Sequence, residues 1–539
     1  MLTRPPTIPS IPLQRLCEGD RFRILDTAEA YFRGRQDDGK RYDWDGNIAS
    51  SAADGVLIAA GWRVPHAMRK PRSRYDVGRL IVLRLTSMVF GQGRFPEIKI
   101  EDDEDAEDYV KTLARESRLA TRMAEARNFG GAEGTACLSF GFVNGAPRVQ
   151  VHNPKHVNVV SWADEDELRP SGVLKAYSYP VDIFDDVAGR VVRKTFWKVR
   201  WWDTEREITW RGIPDNVART EFWHRWENSV IVHGYGFCPF YWIQNRPCSG
   251  QYDGEGDFAG QEPTLDEINR LMSATTKGTI ANVDPTLVVK ADPTQNQGTI
   301  YKGSENAIFC VNGADYLELK GTAVQAAERQ VDRLARSALE VSGVVLADPE
   351  KLSGAAQSAR ALEIIYAPML SNCDTLRDQY GDHGIKPILL DMLRAARKLG
   401  PGAVVLPPYI EKDGETVVVR ERLPGKSEVL ALAWSPYFSP TWSDISSAAN
   451  AARTASGNKP IISHKTAVAF TAKMFGVQDV DVELDAIKEE QEEALKTAQR
   501  AFQSAGPDPF APKKPGEEPP DDEDEDEDEP PVDEPARDD

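Results

Sequence analysis

The sequence predicts an α+β fold ending in a disordered acidic C-terminal tail, and three observations carry that prediction. Apolar residues recur at helical spacing in long segments, above all 322–341 and 358–399. Residues 173–245 run instead in short alternating stretches rich in β-branched and aromatic residues, the pattern of strands. From Ser504 onward there are 16 acids and 3 bases, including nine consecutive acids from Asp521 to Glu529. Self-repulsion and a scarcity of apolar side chains keep such a segment unfolded.

Charge and composition exclude several classes. The chain of 539 residues carries 85 acids and 65 bases, a formal charge of −20. The tail accounts for −13, so residues 1–503 carry only −7. That excludes a polyanionic body, and equally a strongly basic protein that coats duplex DNA through a Lys/Arg surplus. With 41% apolar residues a sizeable core can form, and the length suits three or four domains of about 150 residues. No apolar run reaches the roughly 18 residues of a membrane span. Met1–Ser10 is proline-rich without an apolar signal core, so secretion is not expected. The cysteines (Cys17, Cys137, Cys238, Cys248, Cys310, Cys373) show no zinc or redox spacing and read as small hydrophobes in a reducing cytoplasm.

Along the chain, residues 1–45 read as an arm with a short helix. Seven acids in the eight positions Glu101–Asp108 mark a solvated loop or helix start. One helix is expected from Ala106 to about Asn128, burying Tyr109, Leu113, Ala120 and Met123. Thr135–Val143 and Arg148–His152 then form a hairpin about Asn144-Gly145, where both residues tolerate positive φ. Seven of the twelve tryptophans fall in the strand-rich region: Trp197, Trp201, Trp202, Trp210, Trp223, Trp226 and Trp242. They either stack bases or simply pack a half-buried sheet. The Gly-rich run 249–261 reads as a flexible loop.

A capping box, Thr264 with Glu267, is expected to start a helix that ends before Asp284-Pro285. Residues 286–320 are strand-like, broken by Pro293, Gly298, Gly303 and Asn312-Gly313. A second box, Thr322 with Gln325, opens a helix to about Val341 whose apolar stripe is Val324, Val331, Leu334, Ala338 and Val341. Residues 343–357 form a loop. A long helix from Ser358 to Leu399 is broken near Gly381 and Gly384. Residues 402–434 are strand-like, and 443–503 helical with breaks at 457–460 and 476.

Enzyme signatures fail on inspection. Gly425-Lys426-Ser427 resembles the end of a phosphate loop, but Arg420 stands where the upstream glycine is needed. Gly254-Glu255-Gly256 is too acidic for a pyrophosphate. His152 and His156 flank Asn153-Pro154, so they do not share a helical face for a metal. Glu97-Ile98-Lys99 reads as half a nuclease motif or as an ordinary strand. No catalytic residue and no cofactor is expected.

Four stretches, taken in order, carry a resemblance. The first is Ala132-Glu133-Gly134-Thr135-Ala136-Cys137-Leu138 with Pro147-Arg148-Val149-Gln150-Val151-His152-Asn153-Pro154-Lys155-His156-Val157. The second is the helix–β insert–helix of 264–341. The third is Ser342-Gly343-Val344 through Lys351-Leu352-Ser353-Gly354, then Ser358-Ala359-Arg360-Ala361-Leu362. The fourth is Ile462-Ser463-His464-Lys465-Thr466-Ala467 with Asp481–Glu490. Together, over roughly residues 50–495, these resemble the portal proteins of tailed double-stranded DNA bacteriophages. The acidic tail and the Trp-rich sheet are not general features of that family.

The resemblance implies an N-terminal arm (1–49), a wing (50–260 and 358–434), stem helices (261–285 and 322–342), a β-containing clip (286–321), a tunnel loop (343–357), a helical crown (435–504) and the tail (505–539). It implies a ring, twelve subunits in the family, at the portal vertex of the virion's capsid, assembled in the host bacterial cytoplasm. Implied partners are further copies of the chain, the terminase large subunit, head–tail connector proteins, and major capsid and scaffolding proteins. Double-stranded DNA passes through without sequence specificity. Leu346, Lys351, Arg329 and Arg333 are the candidate channel residues; Arg329 and Arg333 equally suit ion pairs on a solvated or inter-subunit face. Lys290, Lys302 and Lys320 are candidate motor contacts or ordinary surface lysines. The tail reads as a solubilising segment, a docking tail for basic assembly proteins, or a DNA mimic. Two other readings are a non-portal phage assembly or scaffold protein, and a phage nuclease.

Overall fold

The computed structural model describes residues 19–40, 42–44, 65, 68–91, 93–101, 103–185, 189–218, 228–283, 286–289, 314–317, 322–346, 359–400, 402–407, 409–413, 416–420, 424–438, 442–456, 462–472 and 480–504. Helix and sheet are mixed, as an α+β reading requires. The chain divides into two compact units, Met1–Ser439 and Pro440–Asp539.

The first unit opens with α1 (Asp20–Phe32) and α2 (Val77–Phe90). Helix α2 places Val77, Ile81, Leu85 and Val89 at four-residue spacing, with Val82 beside them, and buries them all. Strand β1 (Glu97–Ile100) turns Ile98 and Ile100 inward, so Glu97 and Lys99 are the outward residues of an ordinary strand. The single helix expected from Ala106 to Asn128 is two helices, α3 (Glu104–Glu116) and α4 (Leu119–Glu133). Arg118, at φ 55°, ends one and starts the other, so each presents its own apolar face to the core.

The hairpin β2 (Thr135–Val143) and β3 (Ala146–His152) turns through Asn144 (φ 51°) and Gly145 (φ 80°), as the dipeptide predicts. Strand β2 also pairs with β9 (Phe240–Gln244), giving a three-stranded sheet of order β3-β2-β9. Between β3 and β9 in sequence lies an antiparallel five-stranded meander: β4 (Val157–Asp164), β5 (Arg169–Asp185), β6 (Arg190–Trp202), β7 (Arg206–Pro214) and β8 (Asn228–Val232). Trp197, Trp201, Trp202 and Trp210 of the meander and Trp242 of β9 are all buried. Those five pack the sheets and offer no ring for base stacking; Trp223 and Trp226 lie outside the described residues.

Helix α5 (Glu262–Val283) follows, then β10 (Thr286–Val289) paired antiparallel with β11 (Ala314–Leu317), then α6 (Thr322–Val341). Helix α5 begins at Glu262, so Thr264 sits inside the first turn and the expected capping box with Glu267 does not form. Its first turn is set by Gln261, whose carbonyl accepts the Leu265 N–H at 3.0 Å. Helix α7 (Ala359–Tyr380) continues through a π-helical turn (Gly381–Ile385) into α8 (Lys386–Leu399), so the expected break is a bulge within one rod. Hairpin β12 (Tyr409–Asp413) and β13 (Thr416–Arg420) precedes β14 (Leu430–Ala433), which pairs with β1. One continuous core joins α2, α3, α4, β2, α7 and α8 with the first turns of α5 and the last turns of α6.

The second unit holds α9 (Trp442–Ala455), α10 (His464–Ala472) and α11 (Val480–Ser504). Ser463 caps α10, its Oγ accepting the Thr466 N–H at 3.1 Å. Small buried residues, Ala452, Ala467 and Ala472, let these helices approach closely. Among the described residues no helix is long and apolar enough to cross a membrane. The tail from 505 lies outside the described residues.

Candidate channel wall and the loop at its base

Helices α5 and α6 form an antiparallel pair. Near their far ends a Cβ on Gly278 would lie 3.1 Å from Val324. At the base the Gln261 amide donates to Ser342 Oγ at 2.8 Å, both side chains being buried. At 1.5 Å per residue the rods are roughly 30 Å long. Leu265 and Ile268 of α5, with Val331, Ala335, Ala338 and Leu339 of α6, sink into the core of the unit.

A second set of contacts fixes α5, and its residues were not singled out from the sequence. Asn269, Ser273 and Thr276 form a polar stripe at i, i+4 and i+7. Asn269 Oδ1 accepts the Tyr75 N–H at 2.7 Å, and Ser273 Oγ accepts the Arg72 and Ser73 N–H groups at 2.8 and 3.1 Å. Ser73 Oγ and Thr276 Oγ1 are 2.7 Å apart. An extended segment thus finds its backbone partners on a helix side. The spacing was visible in the sequence, but nothing there marked it as different from an exposed small-polar face.

Just before α5, the Gly-rich run is not the flexible loop expected from its composition. Asp257 is fully buried and pairs with Arg127 of α4 at 2.9 Å. Asn245 Nδ2 donates to its other oxygen at 3.1 Å, and its own N–H donates to the Gly131 carbonyl at 2.7 Å. Gly254 packs so closely that a Cβ would lie 2.6 Å from the Gly134 carbonyl oxygen. Glycine here serves close backbone approach, which composition alone does not distinguish from mobility.

Of the candidate channel residues, Arg329 and Arg333 lie one turn apart on the exposed face of α6, opposite its buried stripe. Asp332, Arg336, Ser337 and Glu340 share that face, so both signs of charge alternate along it. Leu346 is 39% exposed and ends the described part of the loop. The loop leaves α6 through Ser342, Gly343 at φ 66° and the buried Val344. A Cβ on Gly343 would strike the Asn372 amide of α7, so this exit requires glycine twice over. Lys351, Lys290, Lys302 and Lys320 lie outside the described residues.

Two look-alikes of catalytic sites resolve into structure. The Gly425-Lys426-Ser427 turn does bind an anion, but an internal one. The N–H groups of Lys426 and Ser427 donate to Asp103 Oδ2 at 2.6 and 2.9 Å, while Asp103 Oδ1 caps α3 by accepting the Ala106 N–H at 3.0 Å. Three such bonds hold the Asp103 carboxyl down at about 2. Ser139 Oγ lies 2.7 Å from His152 Nε2, and His152 Nδ1 lies 2.9 Å from Lys175 Nζ. The outline is that of a Ser–His triad with a cation in place of the carboxylate. A lysine ammonium can only donate, which puts the imidazole proton on Nε2, pointing at the serine. Burial and Lys175 keep this imidazole well below its usual pKa, so it is a packed neutral ring. His156 lies against Phe22 and Tyr177 and is likewise pushed down to about 4 by burial. Among the described residues no group of three or more His, Cys, Asp or Glu side chains is placed to hold a metal ion.

No family model matches this chain and no curated protein matches it significantly.

Proposed function

We propose that the chain is a portal protein: a subunit of a ring-shaped channel at one capsid vertex through which phage DNA is packaged, retained and ejected. The observation that carries the reading is the α5–α6 rod pair. It is anchored at its base and followed by an antiparallel strand pair (Thr286↔Leu317) whose strands are 24 residues apart in sequence. At opposite ends of the pair Val283 and Val341 are 81% and 72% exposed, and Ile364 on α7 is 65% exposed. Large apolar side chains left uncovered on rigid helices suit burial by another copy. A head-to-tail interface whose rotation closes then gives a ring.

The electrostatics suit a conduit. A body of charge −7 outside the tail does not trap a polyanion. The mixed-sign face of α6, with Arg329 and Arg333, offers few fixed cations to phosphates. In this reading Leu346 and Lys351 project toward the channel on the loop, and Lys290, Lys302 and Lys320 meet the terminase large subunit and later the head–tail connector proteins. Capsid and scaffolding proteins hold the wing.

Mass photometry and negative-stain imaging of the full-length protein test this directly. Rings with a central hole of about duplex width, roughly 20 Å or more, are expected; only monomers or dimers at all concentrations would overturn the reading. Replacing 345–352 by a Gly/Ser loop should leave rings intact and impair DNA packaging or retention.

A further inference from the structure

Beneath α1 lies a carboxyl group that neither the stem nor the loop uses. Glu133, the last residue of α4, is buried, and neither of its carboxylate oxygens makes a well-formed hydrogen bond. The Lys155 backbone N–H compensates only in part. Every charged group around it is committed elsewhere. From α1, Arg21 donates to both oxygens of Asp253 at 2.6 and 2.9 Å, and to the Pro154 and Val157 carbonyls at 3.2 and 2.9 Å. From the turn 154–156, Lys155 Nζ sits 2.5 Å from Glu29 and 2.8 Å from Asp26, both on α1. His156 on that turn is neutral, its Nδ1 without a partner. The Cys137 thiol of β2 is buried and protonated. Both nearby cations are therefore already balanced by carboxylates. An ionised Glu133 would be a surplus anion facing Glu29, with the Lys155 N–H as partial compensation, in a low-dielectric site.

We propose that α1 is a clasp whose closure takes up one proton: the helix docks on α4, the 154–156 turn and Asp253 only while Glu133 is a neutral carboxylic acid. Opening the clasp hydrates Glu133 and uncovers Trp242, on whose ring Arg21 lies 5.3 Å from the centroid.

The sign follows from linkage. In the closed state burial and Glu29 push Glu133 up to about 8, whereas a hydrated glutamate titrates near 4.5. Between those values closing binds a proton, so closure weakens by up to about tenfold per pH unit as pH rises, then levels off. Glu29 has the opposite sense, because Lys155 and Arg33 hold it below the usual carboxylate range. Its contribution is lost only in acid. His156, packed on Phe22 and pushed down from 6.5 to about 4, gives up a proton on closing and offsets Glu133 below about pH 6.5, so the clasp is tightest near pH 6.5 and loosest from about pH 8 upward.

Hydrogen exchange of the full-length protein from about pH 5.5 to about 9, corrected for intrinsic rates, reads this out. Amides of α1 are compared with those of α8, which reports global stability. Protection of α1 should fall steeply from about pH 6.5 to about 8 relative to α8 and then flatten. Glu133→Gln, neutral at every pH and of the same shape, should stay flat above about pH 6.5. A pH-independent wild-type α1, or an unchanged slope in Glu133→Gln, overturns the proposal. Should that variant not fold, Glu29→Gln serves instead: removing the facing carboxylate should move the levelling point to lower pH, and an unmoved curve overturns the proposal equally.

Discussion

Replacing Asp257 by alanine probes what holds the rod pair to the body. Arg127 and Asp257 are both 0% exposed and their shortest contact is 2.9 Å. The Nε and Nη1 atoms of Arg127 have no hydrogen-bond partner, so Asp257 is the guanidinium's principal compensation, with the Tyr380 ring 5.8 Å from its carbon. Removing the carboxylate strands a charge in the core, which costs about 3–5 kcal/mol. Unfolding entropy of about 2.1 cal/mol/K per residue gives roughly 0.9 kcal/mol/K over the 439 residues of the first unit. The melting temperature should then drop by about 3–5 °C in differential scanning calorimetry. Hydrogen exchange should rise in Gln261–Ile268, because Asp257 lies at the entrance to α5. The double variant Arg127→Met, Asp257→Leu removes both charges and should recover much of the loss. A shift of under about 1 °C for Asp257→Ala would falsify this account of the base, since it would mean the guanidinium finds water or another acceptor in the native state.

Other perturbations separate further contacts. A Cβ on Gly130 would overlap the Tyr380 hydroxyl, so Gly130→Ala should cost about 1–3 kcal/mol by overpacking, and Tyr380→Phe should relieve it in a double-variant cycle. Asp103→Ala removes a cap and two loop anchors and should cost about 1–2 kcal/mol at neutral pH. Because the Asp103 carboxyl is held at about 2, its contribution is present above the ordinary aspartate range and lost as pH falls through that value. Wild type and variant should therefore converge in acid melts. Among the described cysteines, Cys248 is half-exposed while Cys137, Cys238 and Cys373 are buried with thiols pushed up by burial. Iodoacetamide mapping by mass spectrometry should find Cys248 labelled well ahead of the other three, and early labelling of Cys137 in folded protein would contradict the packing. Arg329→Glu with Arg333→Glu changes only exposed groups within one chain, so thermal stability should move by less than about 1 kcal/mol. A larger loss in the assembled form would place both residues in a contact between copies.

What the sequence disclosed and what it hid follow physical lines. Local signals were readable: Asn144-Gly145 gave the hairpin, and the periodicity of 322–341 gave α6 with its buried Val331 and Ala338, although Val341 of the same expected stripe ends the helix 72% exposed. Helix α2 was missed because it is apolar on most of its circumference. Its exposed face carries Leu83 beside Arg79, Arg84 and Ser87, which blunts the contrast that marks an amphipathic helix. The α3–α4 break was missed because an arginine at positive φ carries no compositional flag, unlike a glycine. Long-range pairs were invisible in principle. Arg127 and Asp257 are 130 residues apart, and each alone reads as a surface charge. Asp103 and the 425–427 turn belong together for the same reason. That turn lacks the upstream glycine of a phosphate loop, yet it is an anion-binding turn whose anion arrives from another part of the chain.

The polar stripe on α5 explains something that the apolar core cannot. Apolar contacts fix how closely a helix lies against its neighbours but constrain its axial position weakly. Sliding α5 by one turn, about 5.4 Å, would exchange one set of apolar neighbours for another. The same slide would strip Asn269 and Ser273 from the Arg72, Ser73 and Tyr75 N–H groups, leaving these two buried side chains without those partners at about 1–3 kcal/mol each. It would also break Gln261–Ser342, where the loop leaves α6. Directional bonds at both levels therefore lock the rod along its axis as well as across it. In the proposed channel, that is the property each wall would need, because loops at the bases of the rods would narrow one level only when every rod stands at the same height. Disrupting Ser273 alone should then leave the fold intact while spreading the heights of the loops.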